Sequence, residues 1–304
     1  MPKENTHICF AYNILFSLED NEIVKLVSPY VRDYLLGSII PDTFFYSKYP
    51  EVIDISEHIH GKNGIPTNEI IFSCLDDAAS PRDIAFLLGF ITHCALDIIM
   101  HPVIYYLTGN YYDNDPFRMS ASRYSHALFE TGLDIKIGNR LRIHKLLKRT
   151  LTKDLIFGRI VSNRFNADYS LLGEALKKQL ILNMMFDSSA AHKIFKPAIR
   201  EGVFGDSYIL GLFYREAALT WQKISDGYTI RDIITGEKRD VTLKGLFNTA
   251  SEKAQTMMNA ALAFYKGSIS RKELQAAIPG ENLSTGKPGE CIFDIVYTLH
   301  DEIV

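Results

Sequence analysis

Apolar residues return every three or four positions along most of the chain, and sustained apolar–polar alternation is rare. That period belongs to α-helices with one buried face, so the fold is expected to be all-α. Helices are predicted at about 5–16 and 20–38, and the turn chemistry of GSIIPDTFF stops the second, since Pro41 disfavours helical backbone at Ile40. Ser80-Pro81 marks the start of a long helix running to about Leu107, where Gly109-Asn110 ends it. The next is predicted from about Pro116 to His144, and others at about 152–165, 170–186, 206–225 and 243–266. Residues 47–68, rich in Pro, Gly and polar side chains, are expected to be an irregular loop. TGEKRDVTLKG is expected to be a polar loop that can hold a short hairpin. From Ile278 the chain is expected to be loose until a last apolar turn, CIFDIVYTL. No repeat or shift of composition divides the sequence.

The apolar pattern is broken most sharply in AFLLGFITHCALDIIMHPVIYYLTGNYY, residues 85–112, where His93, Asp97 and His101 follow at two intervals of four. Four residues turn a helix by about 400°, so the three side chains form one polar stripe on a greasy rod. SHALFETGLD repeats the spacing with His126, Glu130 and Asp134. Zinc takes neutral imidazole and carboxylate at about 2.0–2.2 Å. One helix can give His and Asp at i, i+4 to one ion, while the residue at i+8 reaches a neighbouring one. On this spacing His93 and Asp97 serve a first metal, and His101, His126 and Glu130 a second. The first is a ligand short, and the loop pair His58/His60 offers one. A single His/carboxylate pair is ordinarily a surface hydrogen bond. Two on adjacent helices, one in an apolar run, are expensive to bury without a cation. Asp134 is read as orienting a ligand imidazole. His144 lies in a basic, solvated stretch, and His192 and His300 have no carboxylate at useful spacing.

Composition narrows the classes. Apolar residues make up 47% and charged residues 23% of 304, and the net charge of −3 gives no electrostatic reason to expect nucleic acid as a partner. Cys9, Cys74, Cys94 and Cys291 share no CxxC spacing and are expected to be reduced thiols. The stretch 85–112 approaches the length of a membrane span. His, Asp and His at its centre would each cost kilocalories in lipid, so a core helix is expected and no transmembrane segment. The first residues carry no pattern of a signal peptide, and a cytoplasmic location is expected. Nucleophile elbow, P-loop, dinucleotide fingerprint and HExxH are all missing.

Five motifs in order, THI at 6–8, GSIIPD at 37–42, IHG at 59–61, HCALDIIMHP at 93–102 and HALFE at 126–130, resemble the zinc-dependent phospholipase C family. Bacterial phosphatidylcholine-hydrolysing phospholipases C and the catalytic domain of clostridial alpha-toxins belong to it. The resemblance implies one all-α, multi-helix bundle domain over residues 1–304, of phospholipase C/P1 nuclease type, with the metal site between central helices. Residues of about 1–145 would bind metal, helices of about 150–270 would support them, and about 278–304 would be loosely ordered. His60, His93 and Asp97 would bind one zinc, with His58 in reserve, and His101, His126 and Glu130 a second. His7 would belong to a third zinc, sharing Asp97. Asp42 matches the carboxylate that orients or deprotonates the attacking water.

Two departures stand out: secreted members complete the third site with an N-terminal Trp, whereas this sequence begins MPKEN, and Asp97 to His101 is a shorter interval than theirs. The implied activity is phospholipase C-like hydrolysis of a phospholipid or other phosphodiester, with peripheral membrane contact. Phe44, Phe45, Tyr46, Tyr105 and Tyr112 are expected near the cleft. The alternatives are an S1/P1-type nuclease or nucleotidase, and a non-catalytic metal-stabilised module that binds lipid or protein.

Overall fold

A computed structural model of the chain describes residues 3–18, 22–137, 141–201, 207–219 and 224–299. It is all-α apart from one hairpin. In the first third, α1 (Glu4–Ser17), α2 (Glu22–Val27), α3 (Val31–Gly37), α4 (Ile40–Thr43), α5 (Pro50–Ile59) and α6 (Asn68–Asp77) lead to the long α7 (Pro81–Thr108) and α8 (Pro116–Lys136). Then come α9 (Ile143–Leu146), α10 (Ile156–Phe165), α11 (Ser170–Asp187), α12 (Ser189–Arg200), α13 (Tyr208–Gly211) and α14 (Tyr214–Ala217). An antiparallel pair, β1 (Gly227–Arg231) and β2 (Lys238–Thr242), precedes α15 (Leu243–Tyr265) and α16 (Arg271–Ala277).

α7 is the axis of the molecule. Ser80 caps it by accepting from the Asp83 amide, Pro81 occupies its first turn, and Gly109 at φ +87° ends it. It is apolar enough to cross a membrane, with a mean hydropathy of 1.8 in its most apolar window, yet 94% of that window is buried inside the fold. α1, α3, α6, α8 and α15 pack around it, and one hydrophobic cluster runs from Ile8 through Phe90 and Met258 to Leu283. Gly37 and Gly89 allow the closest crossing. A Cβ at Gly89 would lie 1.8 Å from the Tyr34 carbonyl oxygen, and one at Gly37 2.0 Å from that of Phe86. Backbone therefore meets backbone where α3 crosses α7.

Several boundaries differ from the sequence prediction. The helix expected over 20–38 is divided by a 3₁₀ turn at Ser28–Tyr30, because Pro29 cannot supply an interior amide. The loop expected at 47–68 contains α5, whose Val52, Ile55, Ser56 and Ile59 bury one helical face while Pro50 starts its first turn. α8 stops at Lys136 rather than His144, ahead of the helix-breaking pair Gly138-Asn139, which lies outside the described residues. In the expected helix 206–225 only the single turns α13 and α14 form among the described residues, and Trp221 lies outside them, as does His300. α12 is absent from the helices expected from sequence; its Pro197 sits on the helix's exposed side.

The segment from Ile278, expected to be loose, is corrected most. Ile278, Asn282, Leu283, Ser284 and Thr285 are all buried, and the backbone turns at Gly280 and Gly286 (φ +83° and +72°). Polar and glycine-rich composition suggested disorder, but here glycine and asparagine build a tight turn against the core.

Substituting Gly89→Ala should cost at least the ~1–3 kcal/mol of an overpacked core, because the obstructing atom is backbone and cannot rotate away. Urea denaturation of the variant against the parent chain measures this; an unchanged midpoint would contradict the crossing.

Candidate metal centre

Five elements bring polar side chains to one buried place. α1 contributes His7; α4, a single turn started by Pro41, contributes Asp42; His60 caps the C-terminus of α5. α7 supplies His93, Asp97 and His101, and α8 supplies His126 and Glu130. All eight side chains are buried, Asp97, His93 and His7 completely. α4 and α5 are tied together by the Ser56 hydroxyl, which donates to the Pro41 carbonyl at 2.5 Å.

Two groups form. In the first, His60 Nε2 lies 3.2 Å from Asp42 Oδ1 and 3.6 Å from Asp97 Oδ2; His93 Nε2 lies 3.5 and 3.0 Å from the same two oxygens. In a tetrahedral zinc site with ligands at about 2.0–2.1 Å, neighbouring donor atoms are about 3.3 Å apart. The four spacings scatter around that value. In the second group His126 Nε2 is 2.9 Å, and His101 Nε2 3.9 Å, from Glu130 Oε1. Asp97 joins the two, since its other oxygen, Oδ1, faces His7 Nε2 at 3.3 Å and His101 Nε2 at 3.8 Å.

The donor atoms pass a test of fit for a cation. Asp42 Oδ1, His60 Nε2, His93 Nε2, both oxygens of Asp97, His101 Nε2 and both ring nitrogens of His7 are buried without a hydrogen-bond partner. Leaving so many polar atoms dry and unpaired in one place costs kilocalories each, which a cation would recover. The remote ring nitrogens are mostly fixed. Nδ1 of His93 contacts the Ser38 carbonyl at 2.9 Å, that of His60 the Ser56 carbonyl at 2.6 Å, and that of His101 the Leu283 carbonyl at 2.7 Å. A carbonyl only accepts, so each Nδ1 carries the proton and each Nε2 turns its lone pair inward. His126 Nδ1 lies 3.3 Å from the Thr108 hydroxyl.

Protonation follows. Burial pushes His101 down to about 3 and His126 well below the ordinary histidine value, and burial together with His93 lowers His7. Burial would raise Asp97, but His101, His93 and His7 around it hold it well below the usual carboxylate range. Burial opposes charge on His60 too, yet the carboxylates of Asp42 and Asp97 beside it lift it to about 9, a proton that a bound cation would displace. Neutral imidazole beside ionised carboxylate is the state that binds metal.

Asp42 stands closer than expected, among the ligand atoms of the first group rather than apart from them. His58 turns away, its ring edge-on to Phe165 at 4.9 Å and its Nε2 4.0 Å from Glu69. His7 meets the centre through Asp97, and its ring stacks on His93 at 3.9 Å. Asp134 does not orient an imidazole. It accepts from the Thr6 amide at 2.8 Å, the Thr6 hydroxyl at 2.5 Å and the Tyr214 hydroxyl at 2.6 Å, fixing the first turn of α1 beside His7. His192, expected to lack a carboxylate, contacts Glu216 at 2.8 Å, 24 residues away and invisible to helical spacing.

The centre opens into a cleft of about 320 Å³ lined by Phe45, Tyr111, Tyr112, Arg123, His126 and Tyr208 among others. Of the aromatics predicted, Phe45 and Tyr112 lie in its wall. Phe44 is buried against Phe157, Tyr46 hydrogen-bonds Glu4, and Tyr105 stacks behind Tyr111 at 5.2 Å. Tyr111, Arg123 and Tyr208 were not anticipated; YY after the helix-ending Gly109-Asn110 was the available signal for the first.

Burial raises Asp134 to about 6. The folded chain therefore takes up this proton more readily than the unfolded one, so Asp134's own contribution to metal-free stability should fall as pH rises from about 4 to about 6, against the rise contributed by His7, His101 and His126. Asp134→Asn should remove that contribution and make stability rise more steeply with pH over this window in urea titrations of the metal-free protein; an unaltered slope would refute the assignment.

No curated protein and no solved structure matches this chain. The family model of zinc dependent phospholipase C matches residues 6–173, which exceeds half of the 304 residues and contains every donor from His7 to Glu130. Its two buried His/carboxylate groups fit two zinc ions, and the chain belongs to the zinc-dependent phospholipase C family.

Proposed function

We propose that this protein hydrolyses the phosphodiester of a phospholipid, in the manner of a phospholipase C, at the centre joined by Asp97. One observation carries the reading: two buried donor groups meet at one carboxylate, and the second of them, through His126 and Glu130, lines an aromatic cleft. His60, His93 and Asp97 would hold one zinc, with Asp42 beside it, and His101, His126 and Glu130 the other. His7 and Asp97 Oδ1 would serve a third. Zinc held there would supply Lewis acidity, lowering the pKa of water toward about 7 and polarising a phosphoryl oxygen.

The chain's own residues do the rest. Asp42 Oδ1, held between His60 and His93, is placed to accept the proton of the attacking water. Arg123, whose Nε donates to the Tyr111 carbonyl at 3.2 Å, brings positive charge to the cleft wall for a phosphodiester oxygen. Phe45, Tyr111 and Tyr112 offer apolar faces and displace water from the reacting phosphate. The carbonyls of Ser38, Ser56 and Leu283 hold the imidazoles in register during turnover.

Asp97→Ala removes the shared carboxylate and should abolish both zinc retention and hydrolysis. Elemental analysis showing full zinc in that variant would sink the assignment. The parent chain, loaded with zinc, should cleave phosphatidylcholine in preference to a soluble phosphodiester and to single-stranded DNA. Preference for DNA would instead indicate an S1/P1-type nuclease, and bound zinc with no turnover of any substrate a binding module. Anomalous scattering at the zinc edge should show at least two ions; a single peak would overturn the paired centre.

A further inference from the structure

The metal donors all lie before residue 131, yet the turn that supports them comes from the other end of the sequence, beyond the span of the family match. Leu283, completely buried, uses both of its backbone groups on the centre. Its amide donates to the His60 carbonyl at 3.2 Å, and its carbonyl accepts from His101 Nδ1 at 2.7 Å. His60 belongs to the first donor group and His101 to the second. One residue of a distant turn thus links both.

Asn282 shapes that turn. Its side-chain oxygen accepts from the amides of Ser284 and Thr285 at 2.8 and 3.1 Å, and its Nδ2 donates to the Gly61 carbonyl at 2.6 Å, next to His60. It is 1% exposed, with both ends of its amide engaged. The turn is anchored again by the Thr67 hydroxyl on the Glu281 carbonyl and by Asn68 Nδ2 on the Ile278 carbonyl. α7 has a seat for it. Pro102 lacks the amide that would bond the Ile98 carbonyl, and Gly286 fits so closely there that a Cβ would lie 2.6 Å from that oxygen.

We infer that Asn282 is a positioning residue for both metal groups, acting through the Leu283 backbone, which it sets against His60 and His101. The inference rests on the zinc reading above. Removing its amide releases Gly61 and loosens the Ser284–Thr285 turn at once, so His101 Nδ1 loses its fixed acceptor and the backbone that carries His60 loses its outer ties. Outer partners of metal-bound histidine typically change metal affinity by about 10–100-fold.

The test uses the full chain, with zinc affinity measured by chelator competition and cobalt(II) as a spectroscopic probe of ligand geometry. Asn282→Ala should bind zinc about 10–100-fold more weakly and should alter the cobalt absorption bands of both sites. Thr67→Val, which removes one remote anchor and keeps the shape, should give a smaller shift in the same direction, and it carries the test if Asn282→Ala does not fold. Tyr169→Phe, whose hydroxyl serves Leu155 and Thr152 instead, should lower thermal stability and leave zinc affinity and cobalt spectra unchanged. Folded Asn282→Ala and Thr67→Val proteins with parental zinc affinity and cobalt spectra would overturn the inference. A parent chain that binds no zinc would overturn the functional reading itself.

Discussion

Asp97 is the constraint from which the rest of this structure follows. Its carboxylate is completely buried near the middle of a 28-residue apolar helix, with neither oxygen hydrogen-bonded, and imidazoles face it from both sides. An ionised carboxylate in such surroundings is costly unless positive charge compensates it. Each surrounding element brings donors for the cation that would supply it: α1 with His7, α5 with His60, α7 itself with His93 and His101. The scaffold's packing exists in tension with this polar heart, and the close crossing at Gly37 and Gly89 shows how tightly the two are coupled. The same approach of α3 to α7 that fills the core sets the Ser38 carbonyl on His93 Nδ1.

Rigidity at the centre is bought with backbone rather than side chains. Three of the four imidazoles in the two donor groups point their outer nitrogen at a main-chain carbonyl, from α3, α5 and the turn at 282–285. Main-chain acceptors belong to elements fixed by the fold, so orientation of the donors and stability of the bundle are the same property. The cleft differs in kind. Its walls come from Phe45, α5, the tyrosines that follow α7, the middle of α8 and the single turn α13, and of these lining residues His126 and Glu130 alone are donors. Substrate preference can therefore vary there while the metal chemistry stays constant.

Sequence reasoning recovered the elements whose pattern is local and strong. α7 was delimited nearly to the residue by Ser80-Pro81 and Gly109, and α15 by its long apolar period. It missed α5 because flanking Pro and Gly outweighed a ten-residue amphipathic face, and it misjudged the turn after Ile278 because composition cannot distinguish a solvated tail from a hydrogen-bonded one. Pairings such as Asp134 with Thr6, or His192 with Glu216, join helices that no spacing rule connects.

By itself the sequence determined the helical class, the polar stripe His93–Asp97–His101 and its counterpart His126–Glu130, because side chains four apart on one helix must share a face. Tertiary structure alone decided which oxygen of Asp97 faces which imidazole, that His60 and not His58 turns inward, and that Asp42 stands among the donors. It also decided that residues 282–285 complete a centre whose donors end at Glu130. The physical reason is separation along the chain: a helix fixes directions over a few residues, whereas a metal site is closed by groups that only packing brings within hydrogen-bonding reach.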